Sequence, residues 1–509
     1  MRDKVYLAID LGAESGRVIA GIWNGRKIRL EEVHRFPNGA VAVGNTLRWD
    51  VLRLWAEIQH GLTLAGKTFG RKIVSVGADT WGVDFVLLTK NDEIVGTPYH
   101  YRDARTNGLM EKTFRRIPRD EIFAQTGLQF MQFNTLYQLL AMQEKTPGLL
   151  AQADCLLLMP DFLHWCLCGS KVVEFTNGST TQCLHPVRRN WATGLLRKLG
   201  LPTRIFPKIV RPGTVLGPLR PDVAKRTGLA DVRVVAPPTH DTASAIAGVP
   251  TSSTGTTKWA YISSGTWSLM GVETQQAAMS PRAMELHMTN EGGVDGTYRL
   301  LRNIMGLWLV QQCKRSLEAA GRTYSYPQIV GLASKAQAFR SLVDPNDPRF
   351  INPPDMPEAI RSYCRDTRQS IPSTDGELFR CAYESLALIY RTTLTELEEL
   401  TNGHIDVIHI VGGGSQNALL NQFTANACQR PVLAGPVEAT ALGNLLVQIR
   451  ADGGLKSLDD MRSALRRSTA PTRFDPQPGS EWAQAADRFA AVRTLTNKPS
   501  TRKASRKQK

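Results

Sequence analysis

Two short sequences, Asp10-Leu-Gly-Ala-Glu-Ser-Gly-Arg17 and Ser263-Ser-Gly-Thr-Trp-Ser268, each interrupt a run of apolar, strand-forming residues. Apolar residues on both sides of a glycine-containing turn predict a β-hairpin at each place. Turns of this kind direct several backbone N–H groups at one spot, where they favour an anion. Two such turns in one chain therefore predict a nucleotide that is held from two sides.

The patterns around the two hairpins predict an α/β fold. Because the hairpin recurs in the second half of the chain, we expect two related lobes with a cleft between them. In the first half, strands are predicted at residues 5–10, 18–23, 28–36 and 73–78, and helices near 52–64 and 136–144. In the second half, a helix is predicted over 378–397, and strands at 405–411 and 432–434, each followed by glycines and a helix.

The length of 509 residues exceeds what one hydrophobic core usually covers, so two domains are expected. A polar, turn-rich segment lies between residues 245 and 258 and marks the boundary. We therefore expect a first domain over residues 1–247 and a second over 258–480 that holds the nucleotide. Residues 481–509 are expected to form an extension that ends in a basic, disordered tail.

The net charge of +16 raises the question of nucleic-acid binding. Six of these charges lie in the last twelve residues, and +10 remains over a large surface without them. That remainder suits anionic small molecules at least as well as a polynucleotide. A solvated tail is favoured over an RNA or DNA anchor.

No apolar run has the length of a membrane span, and the N-terminus lacks the apolar core of a signal peptide, so a cytoplasmic protein is expected. The eight cysteines lie mostly in apolar segments and form no CxxC pair. Reduced thiols are therefore favoured over a zinc site or a disulfide framework. The sequence leaves open whether Cys364 and Cys381 meet, and it is compatible with a monomer or a dimer.

Asp241 is the strongest candidate for chemistry, because it follows a predicted strand at 232–236 and precedes a helix-like segment. A carboxylate there can act as a general base that accepts a hydroxyl proton as the oxygen attacks a γ-phosphate. The alternative is a helix N-cap, a common place for aspartate. The two anion-binding turns favour the base.

Three other residues near the predicted strand ends have a functional and a structural interpretation. Asp10 can hold Mg²⁺ through water, or it can initiate the turn. Arg17 can neutralise phosphate charge, although an exposed arginine on a hairpin is more common. Trp81 can form an apolar wall for a sugar, although a tryptophan at a strand end usually belongs to the core.

The order of the motifs resembles that of the FGGY carbohydrate kinases, from the first strand to about residue 480. Besides the two hairpins, the resemblance rests on Ala78-Asp-Thr-Trp-Gly-Val-Asp-Phe85, Tyr101-Arg-Asp-Ala-Arg-Thr-Asn-Gly108, Met159-Pro-Asp161, His240-Asp-Thr-Ala-Ser-Ala245, Asn303-Ile-Met-Gly-Leu-Trp308 and His409-Ile-Val-Gly-Gly-Gly-Ser-Gln-Asn417. Only the basic tail lies outside it.

The resemblance implies an actin-like fold of two ribonuclease H-like lobes, with ATP and Mg²⁺ in the cleft between them. Within the family, the motifs are most similar to members that phosphorylate L-rhamnulose at O1. The resemblance implies Asp241 as the base, and Gly82 and His240, beside Trp81, as contacts of the sugar. The ATP contacts that it implies are Ala13, Glu14, Ser15, Gly16, Arg17, Thr266, Asn303, Gln311 and Gly413.

Two positions depart from the family pattern. Many relatives have a small residue in place of Glu14, so its carboxylate is expected to point away from the phosphates or to help arrange the metal. Thr424 and Cys428 stand where some relatives have cysteines, which excludes a disulfide there.

Two alternatives remain. One is a kinase for another ketose, such as L-fuculose or L-xylulose, because one hydroxyl orientation can switch the substrate. The other is an inactive ATP and sugar sensor that binds nucleic acid through the basic tail. An intact Asp241 argues against the sensor.

Overall fold

The first lobe is built on a six-stranded mixed sheet, in a computed structural model that describes residues 3–496. The predicted basic tail lies outside the described residues. The strands are β1 (Lys4–Leu11), β2 (Ser15–Trp23), β3 (Ile28–Pro37), β4 (Ile73–Thr80), β5 (Thr214–Pro218) and β6 (Arg233–Ala236). Their order is β5-β6-β4-β1-β2-β3. Strand β1 pairs antiparallel with β2 and parallel with β4, and β4 pairs parallel with β6.

The second lobe has a seven-stranded mixed sheet. Its strands are β7 (Trp259–Ser264), β8 (Trp267–Thr274), β9 (Thr289–Gly292), β10 (Tyr298–Met305), β11 (Val407–Val411), β12 (Val432–Ala434) and β13 (Thr472–Phe474). Their order is β9-β10-β8-β7-β11-β12-β13. Strand β7 pairs antiparallel with β8 and parallel with β11, and β11 pairs parallel with β12.

Both sheets contain the same five strands in the same arrangement. In the first lobe they run β3-β2-β1-β4-β6, and in the second β10-β8-β7-β11-β12. In each case the first three strands are antiparallel neighbours and the last two join in parallel. The prediction of two related α/β lobes from the two hairpins is therefore confirmed.

The helices that position the cleft or carry the core are α1 (Val51–Phe69), α2 (Met159–Cys168), α3 (Asp241–Ala247), α4 (Trp308–Ala319), α5 (Asp375–Thr401), α6 (Ala418–Cys428), α7 (Ala439–Ala451), α8 (Leu458–Ser468) and α9 (Glu481–Thr496). The other helices cover Leu109–Phe114, Arg119–Thr126, Thr135–Lys145, Pro147–Gln152, Phe175–Gly178, Thr193–Lys198, Pro221–Thr227, Pro281–Glu285, Tyr326–Lys335 and Met356–Asp366. Two-stranded ribbons pair Val41–Val43 with Thr46–Arg48, Phe85–Leu88 with Cys155–Leu158, Val173–Glu174 with Ile209–Val210, and Leu184–His185 with Asn190–Trp191.

Local sequence explains the bounds of the long central helix α5. Thr374 accepts a hydrogen bond from the backbone of Glu377, and the Glu377 side chain bonds back to the backbone of Thr374, which makes a capping box. The helix ends at Asn402, which adopts a left-handed conformation. Its apolar face is buried in the core of the second lobe.

Residues 481–496, expected as part of an extension, form α9. Trp482, Ala485, Phe489 and Val492 of this helix are buried in the hydrophobic core of the second lobe. No helix or strand covers residues 249–258, where the domain boundary is expected.

Helices α3 and α7 join the two lobes by direct backbone contact. A Cβ atom on Gly443 of α7 would overlap the backbone oxygen of Ser244 on α3. The amide of the next residue, Asn444, donates to Asp79 Oδ2 at the end of β4, over 2.6 Å. The two helices can approach this closely only because glycine has no side chain. The lobes therefore meet at Gly443.

All eight cysteines are free, and six of them are buried. Cys364 and Cys381, whose contact the sequence left open, lie close enough for their thiols to shift each other's pKa, downward for Cys364 and upward for Cys381. Cys428 is buried next to the core and lies one turn after Thr424 on α6.

Across residues 3–496, none of the helices combines the length and the apolar character that a membrane span requires.

Candidate active site

A cleft of about 460 Å³ lies between the lobes, and both hairpins open into it. Its walls include nearly all of the residues predicted for the site: Asp10, Ala13, Glu14, Ser15, Arg17, Trp81, Gly82, His240, Asp241, Thr266, Asn303, Gln311 and Gly413. Gly16 is the exception. The position of a Cβ atom on Gly16 is occupied by the ring of Phe36, behind the hairpin. The structure thus gives Gly16 a packing role against β3.

Arg17 lies opposite Asp10 on the first hairpin and links two carboxylates. It donates to Asp10 Oδ2 over 2.6 Å, and its other nitrogen donates to Glu438, just before α7. Burial disfavours the charged guanidinium, but the two carboxylates outweigh burial and raise the pKa of Arg17 above its ordinary value. The side chain is thus a fixed cation on the cleft wall. Its Glu438 partner comes from the second lobe.

Glu14 points across the mouth of the cleft to the second lobe. Its Oε1 accepts a hydrogen bond from Arg315 on α4 over 2.9 Å. Both side chains are exposed, at 44% for Glu14 and 57% for Arg315. The Glu14 carboxylate is therefore paired with a cation. Nothing in the local sequence around Glu14 indicates this partner.

Asp241 is the first residue of α3, directly after β6 and a short loop. The N-cap position belongs to His240, so the interpretation of Asp241 as the N-cap is wrong. Its Oδ1 accepts from the Thr242 N–H over 2.5 Å and from the Thr242 hydroxyl over 3.1 Å. Burial raises the pKa of this carboxyl, and Asp10 adds to the shift, against the lowering effects of His240 and Thr242. A raised pKa suits a proton acceptor.

A second aspartate, Asp79, lies in register with Asp10 on the neighbouring strand. It is fully buried, and burial together with the charge of Asp10 raises its pKa well above the ordinary value. Its Oδ1 has no hydrogen-bond partner among residues 3–496. Asp10, Asp79 and Asp241 thus bring three carboxyl groups together at one end of the cleft, with Asp10 and Asp241 on its wall and Asp79 buried behind them. Asp79 was quoted within a motif but not predicted as a site residue.

The wall expected to face a sugar combines Trp81 and Gly82. The Trp81 ring stacks on Trp49 with ring centroids 4.0 Å apart, and its Nε1 donates to Asp84 over 3.0 Å. A Cβ atom on Gly82 would lie 2.8 Å from the hydroxyl of Thr180. Trp81 is therefore both a core residue and a wall of the cleft, so the two interpretations of it are compatible.

Several residues that line the same wall were missed in the sequence. They come from loops between β4 and β5 and from strand β9, far apart in the chain, so no local pattern joins them. They are Tyr101, Gln129, Phe133, Asn134, Thr180 and Glu291.

The second lobe supplies uncharged groups to its side of the cleft. Gln311 Oε1 and Ser264 Oγ are buried and have no hydrogen-bond partner within the described chain. Gly413 has open space where a Cβ atom would stand, next to Gly412 with φ of 82°. Thr266 lies in the turn of the second hairpin. This side therefore presents polar atoms and bare backbone, which suit a nucleotide.

Residues 3–496 contain no group of three or more His, Cys, Asp or Glu side chains placed to ligate a metal directly. A divalent ion at the acidic end of the cleft would therefore need waters or phosphate oxygens among its ligands.

Solved sugar kinases share this fold. Gluconate kinase from Lactobacillus acidophilus matches with a TM-score of 0.80 at 16% identity, over 97% of this chain and 99% of that one. Glycerol kinase from Plasmodium falciparum, solved with ADP, matches with a TM-score of 0.76 at 15% identity, over 98% and 99% of the two chains. These likenesses confirm the expected two-lobed fold.

Curated relatives match over nearly the whole chain. Rhamnulokinase from Bacteroides thetaiotaomicron is 44% identical over 484 residues, 95% of this chain and 98% of that protein. Rhamnulokinase from Bacillus subtilis is 41% identical over 473 residues, 93% and 96% of the two. The N-terminal domain model of the FGGY carbohydrate kinases matches residues 5–248 and the C-terminal domain model matches 260–451. The chain therefore belongs to the FGGY family of carbohydrate kinases.

Proposed function

We propose that the protein transfers the γ-phosphoryl group of ATP to O1 of L-rhamnulose and releases L-rhamnulose 1-phosphate and ADP. The observation that carries this proposal is the Asp241 carboxylate, which opens into the cleft onto which both hairpins converge. The choice of sugar rests on the relatives named rhamnulokinase, which cover most of the chain at 40–44% identity.

Asp241 takes the role of general base in this proposal. As the O1 oxygen attacks the γ-phosphorus, its proton passes to Asp241, and the bond from the γ-phosphorus to the bridging oxygen of ADP breaks. Asp241 Oδ1 is occupied by Thr242, so Oδ2 is the oxygen that receives the proton. The raised pKa of Asp241 predicts that turnover falls on acidification at a higher pH than for an ordinary aspartate.

The nucleotide is assigned to the side of the cleft where the hairpins and the second lobe meet. Ala13, Glu14, Ser15, Gly16 and Arg17 form or support the turn proposed for the phosphates. Thr266, Asn303, Gln311 and Gly413 are proposed to surround the rest of ATP. The unpartnered oxygen of Gln311 and the open space at Gly413 support this orientation. ATP as the donor favours a cytoplasmic location.

The acidic end of the cleft fits Mg²⁺ bound with its waters. Asp10 raises the pKa of both Asp79 and Asp241, and a divalent cation would relieve this repulsion. Asp10 is the residue proposed to hold the ion through water. When bound with ATP, Mg²⁺ supplies charge neutralisation for the phosphates. Arg17 stays fixed beside Asp10 and adds a protein cation.

The sugar is assigned to the wall formed by Trp81, Gly82 and His240. This wall combines an aromatic surface with polar groups, as carbohydrate sites require both apolar contact and hydrogen bonds. The polar groups on this wall decide which ketose is accepted. A ketose with the wrong hydroxyl orientation leaves one of these groups buried without a hydrogen-bond partner, which lowers kcat/KM for that ketose.

The test is MgATP-dependent ADP release by the purified full chain with L-rhamnulose, L-fuculose, L-xylulose, D-xylulose and glycerol. We expect the highest kcat/KM for L-rhamnulose. Preference for L-fuculose or L-xylulose would overturn the assigned sugar and leave the base and the nucleotide site in place. Release with none of the sugars would contradict the kinase and favour the sensor.

A further inference from the structure

His240 lies between the proposed base and a buried ion pair of the second lobe. Its Nε2 is 3.4 Å from Asp241 Oδ1. Its Nδ1 is 3.1 Å from Nη2 of Arg299 and 3.1 Å from Oε2 of Glu291. Arg299 and Glu291 approach each other to 2.9 Å, and their side chains are 1% and 5% exposed. Nε2 thus faces a carboxylate, and Nδ1 lies equally far from a guanidinium and a carboxylate, of which only the guanidinium of Arg299 is in hydrogen-bond geometry with it.

The chemistry of arginine decides which nitrogen carries the ring proton. A guanidinium only donates hydrogen bonds and does not lose its proton in proteins. The Arg299 Nη2 group is in hydrogen-bond geometry with Nδ1 of His240, so Nδ1 is the acceptor. In a neutral imidazole the proton then lies on Nε2, the nitrogen that faces Asp241.

Glu291 and the backbone keep Arg299 in this place. Glu291 Oε2 lies nearer to Arg299 than to His240, so its charge is compensated by the guanidinium. Arg299 Nε also donates to the backbone oxygen of Gly292 over 2.9 Å. With two of its nitrogens fixed, the guanidinium has little freedom to turn away from His240.

We infer that Arg299, paired with Glu291, is a positioning residue that holds His240 as the Nε2–H tautomer facing Asp241. This inference rests on the proposed function, in which Asp241 is the base. Nε2–H then faces Oδ1, the oxygen that already accepts from the two Thr242 donors, and Oδ2 is left for the sugar hydroxyl. The orientation of the base is thereby set by a histidine that also lines the cleft.

The arrangement crosses between the lobes. His240 and Asp241 belong to the first lobe, whereas Glu291 lies on β9 and Arg299 on β10 of the second. The tautomer is therefore fixed only while the two lobes are in contact at this place.

The first measurement uses the wild-type chain without turnover. Protein labelled with ¹⁵N in its histidines gives distinct nitrogen shifts for the two tautomers and for imidazolium, and H240N identifies the signal among the nine histidines. We expect Nε2 protonated and Nδ1 unprotonated in the neutral imidazole, recorded at alkaline pH. A protonated Nδ1, as the other tautomer or as imidazolium, would overturn the inference.

A kinetic comparison then separates positioning from folding. R299M removes the donor to Nδ1, and R462M is its matched control, because Arg462 is also fully buried and paired with a glutamate, Glu273, over 3.0 Å. We expect R299M to lower kcat about 10- to 100-fold, as loss of a supporting partner does, with the KM for ATP within about twofold. R462M should keep kcat within about twofold of wild type. Equal kcat in the two variants would overturn the inference.

A double-mutant cycle tests whether Arg299 acts through His240. In the H240N background, R299M should add less than about a twofold loss of kcat. A full additional loss there would assign Arg299 a direct role and overturn the inference. The base itself is tested separately by D241N: turnover retained in D241N refutes the proposed base, whereas a wrong tautomer with an inactive D241N refutes only the positioning by Arg299.

Discussion

The two lobes repeat one sheet but place different side chains at the cleft. The first hairpin carries three charged residues, Asp10, Glu14 and Arg17, whereas the second, over residues 263–268, carries none. Each hairpin joins two antiparallel strands. The first strand of each hairpin also pairs in parallel with its other neighbour in the sheet. The shared backbone therefore suits an anion in both lobes, and the groups that neutralise charge or move a proton belong to the first.

The helices that follow the fifth strand show the same difference. In the first lobe α3 begins with Asp241, which opens into the cleft. In the second lobe the residue before α7 is Glu438, whose carboxylate accepts a hydrogen bond from Arg17. Equivalent places thus carry a carboxylate in each lobe. Asp241 is available for the reaction, whereas Glu438 fixes Arg17, a cation of the opposite lobe.

The largest expected effect distinguishes these two carboxylates. D241N removes the proposed base, so we expect kcat to fall by about 10²–10⁴, the range that general-base catalysis contributes. ATP and sugar binding, measured by calorimetry, should change little, because the amide keeps the shape of the side chain.

E438Q is the matched control for this comparison. It keeps one acceptor oxygen for Arg17 and removes a charge that only supports that arginine, so its kcat should fall far less than that of D241N. A D241N enzyme with kcat within a few-fold of wild type would remove Asp241 from the role of base.

The next effect concerns the contact that holds the lobes together. G443A places a methyl group on the backbone of Ser244 between α3 and α7, and overpacking of this kind typically costs about 1–3 kcal/mol in the free energy of unfolding. The control is G331A, in the helix Tyr326–Lys335, where nothing lies within 4 Å of the new Cβ. That substitution should stabilise by about 0.4–1 kcal/mol. Urea unfolding of both variants checks the sign, and similar midpoints would contradict the close approach.

A smaller effect tests the uncharged side of the cleft. G413V fills open space next to the second hairpin, so we expect the KM for ATP to rise about tenfold, equivalent to about 1.4 kcal/mol, with the sugar KM unchanged. G148V is the control, since its Cβ also meets no atom within 4 Å but lies away from the cleft. Initial rates over a range of ATP concentrations separate the two. An unchanged KM for ATP in G413V would place the nucleotide elsewhere.

Features that depend on neighbouring residues were predictable from the sequence. The hairpins and the strand at 432–434 follow from short apolar runs bounded by glycine, and the long helix α5 follows from its apolar spacing. Asp241 was found for the same reason, since its position between a strand and a helix is a local property. Its structural interpretation as an N-cap failed by one residue, because helix bounds depend on backbone geometry that the sequence does not specify.

The partners of the site residues were not predictable. Glu438 binds Arg17 across 421 positions of the chain, and Arg315 binds Glu14 across 301. Arg299 lies 59 positions from His240. Such pairs form only when the sheets, the loops and the lobe contact have placed them together, so no periodicity or spacing indicates them. The residues that do the chemistry were therefore easier to find than those that set their charge and direction.

The smallest effect concerns Glu14, one of the three charged residues of the first hairpin that have no counterpart in the second. It is paired with Arg315 at the exposed mouth of the cleft, where an ion pair is worth about 0–1 kcal/mol. E14Q leaves the arginine unopposed near the proposed phosphate site, so the KM for ATP should fall by about twofold. R315Q leaves the carboxylate unopposed, so the KM should rise by a similar factor. Both shifts should shrink at 0.5 M salt, because exposed charges are screened. Shifts of the same sign in the two variants would show that Glu14 acts on the nucleotide in some way other than by its charge.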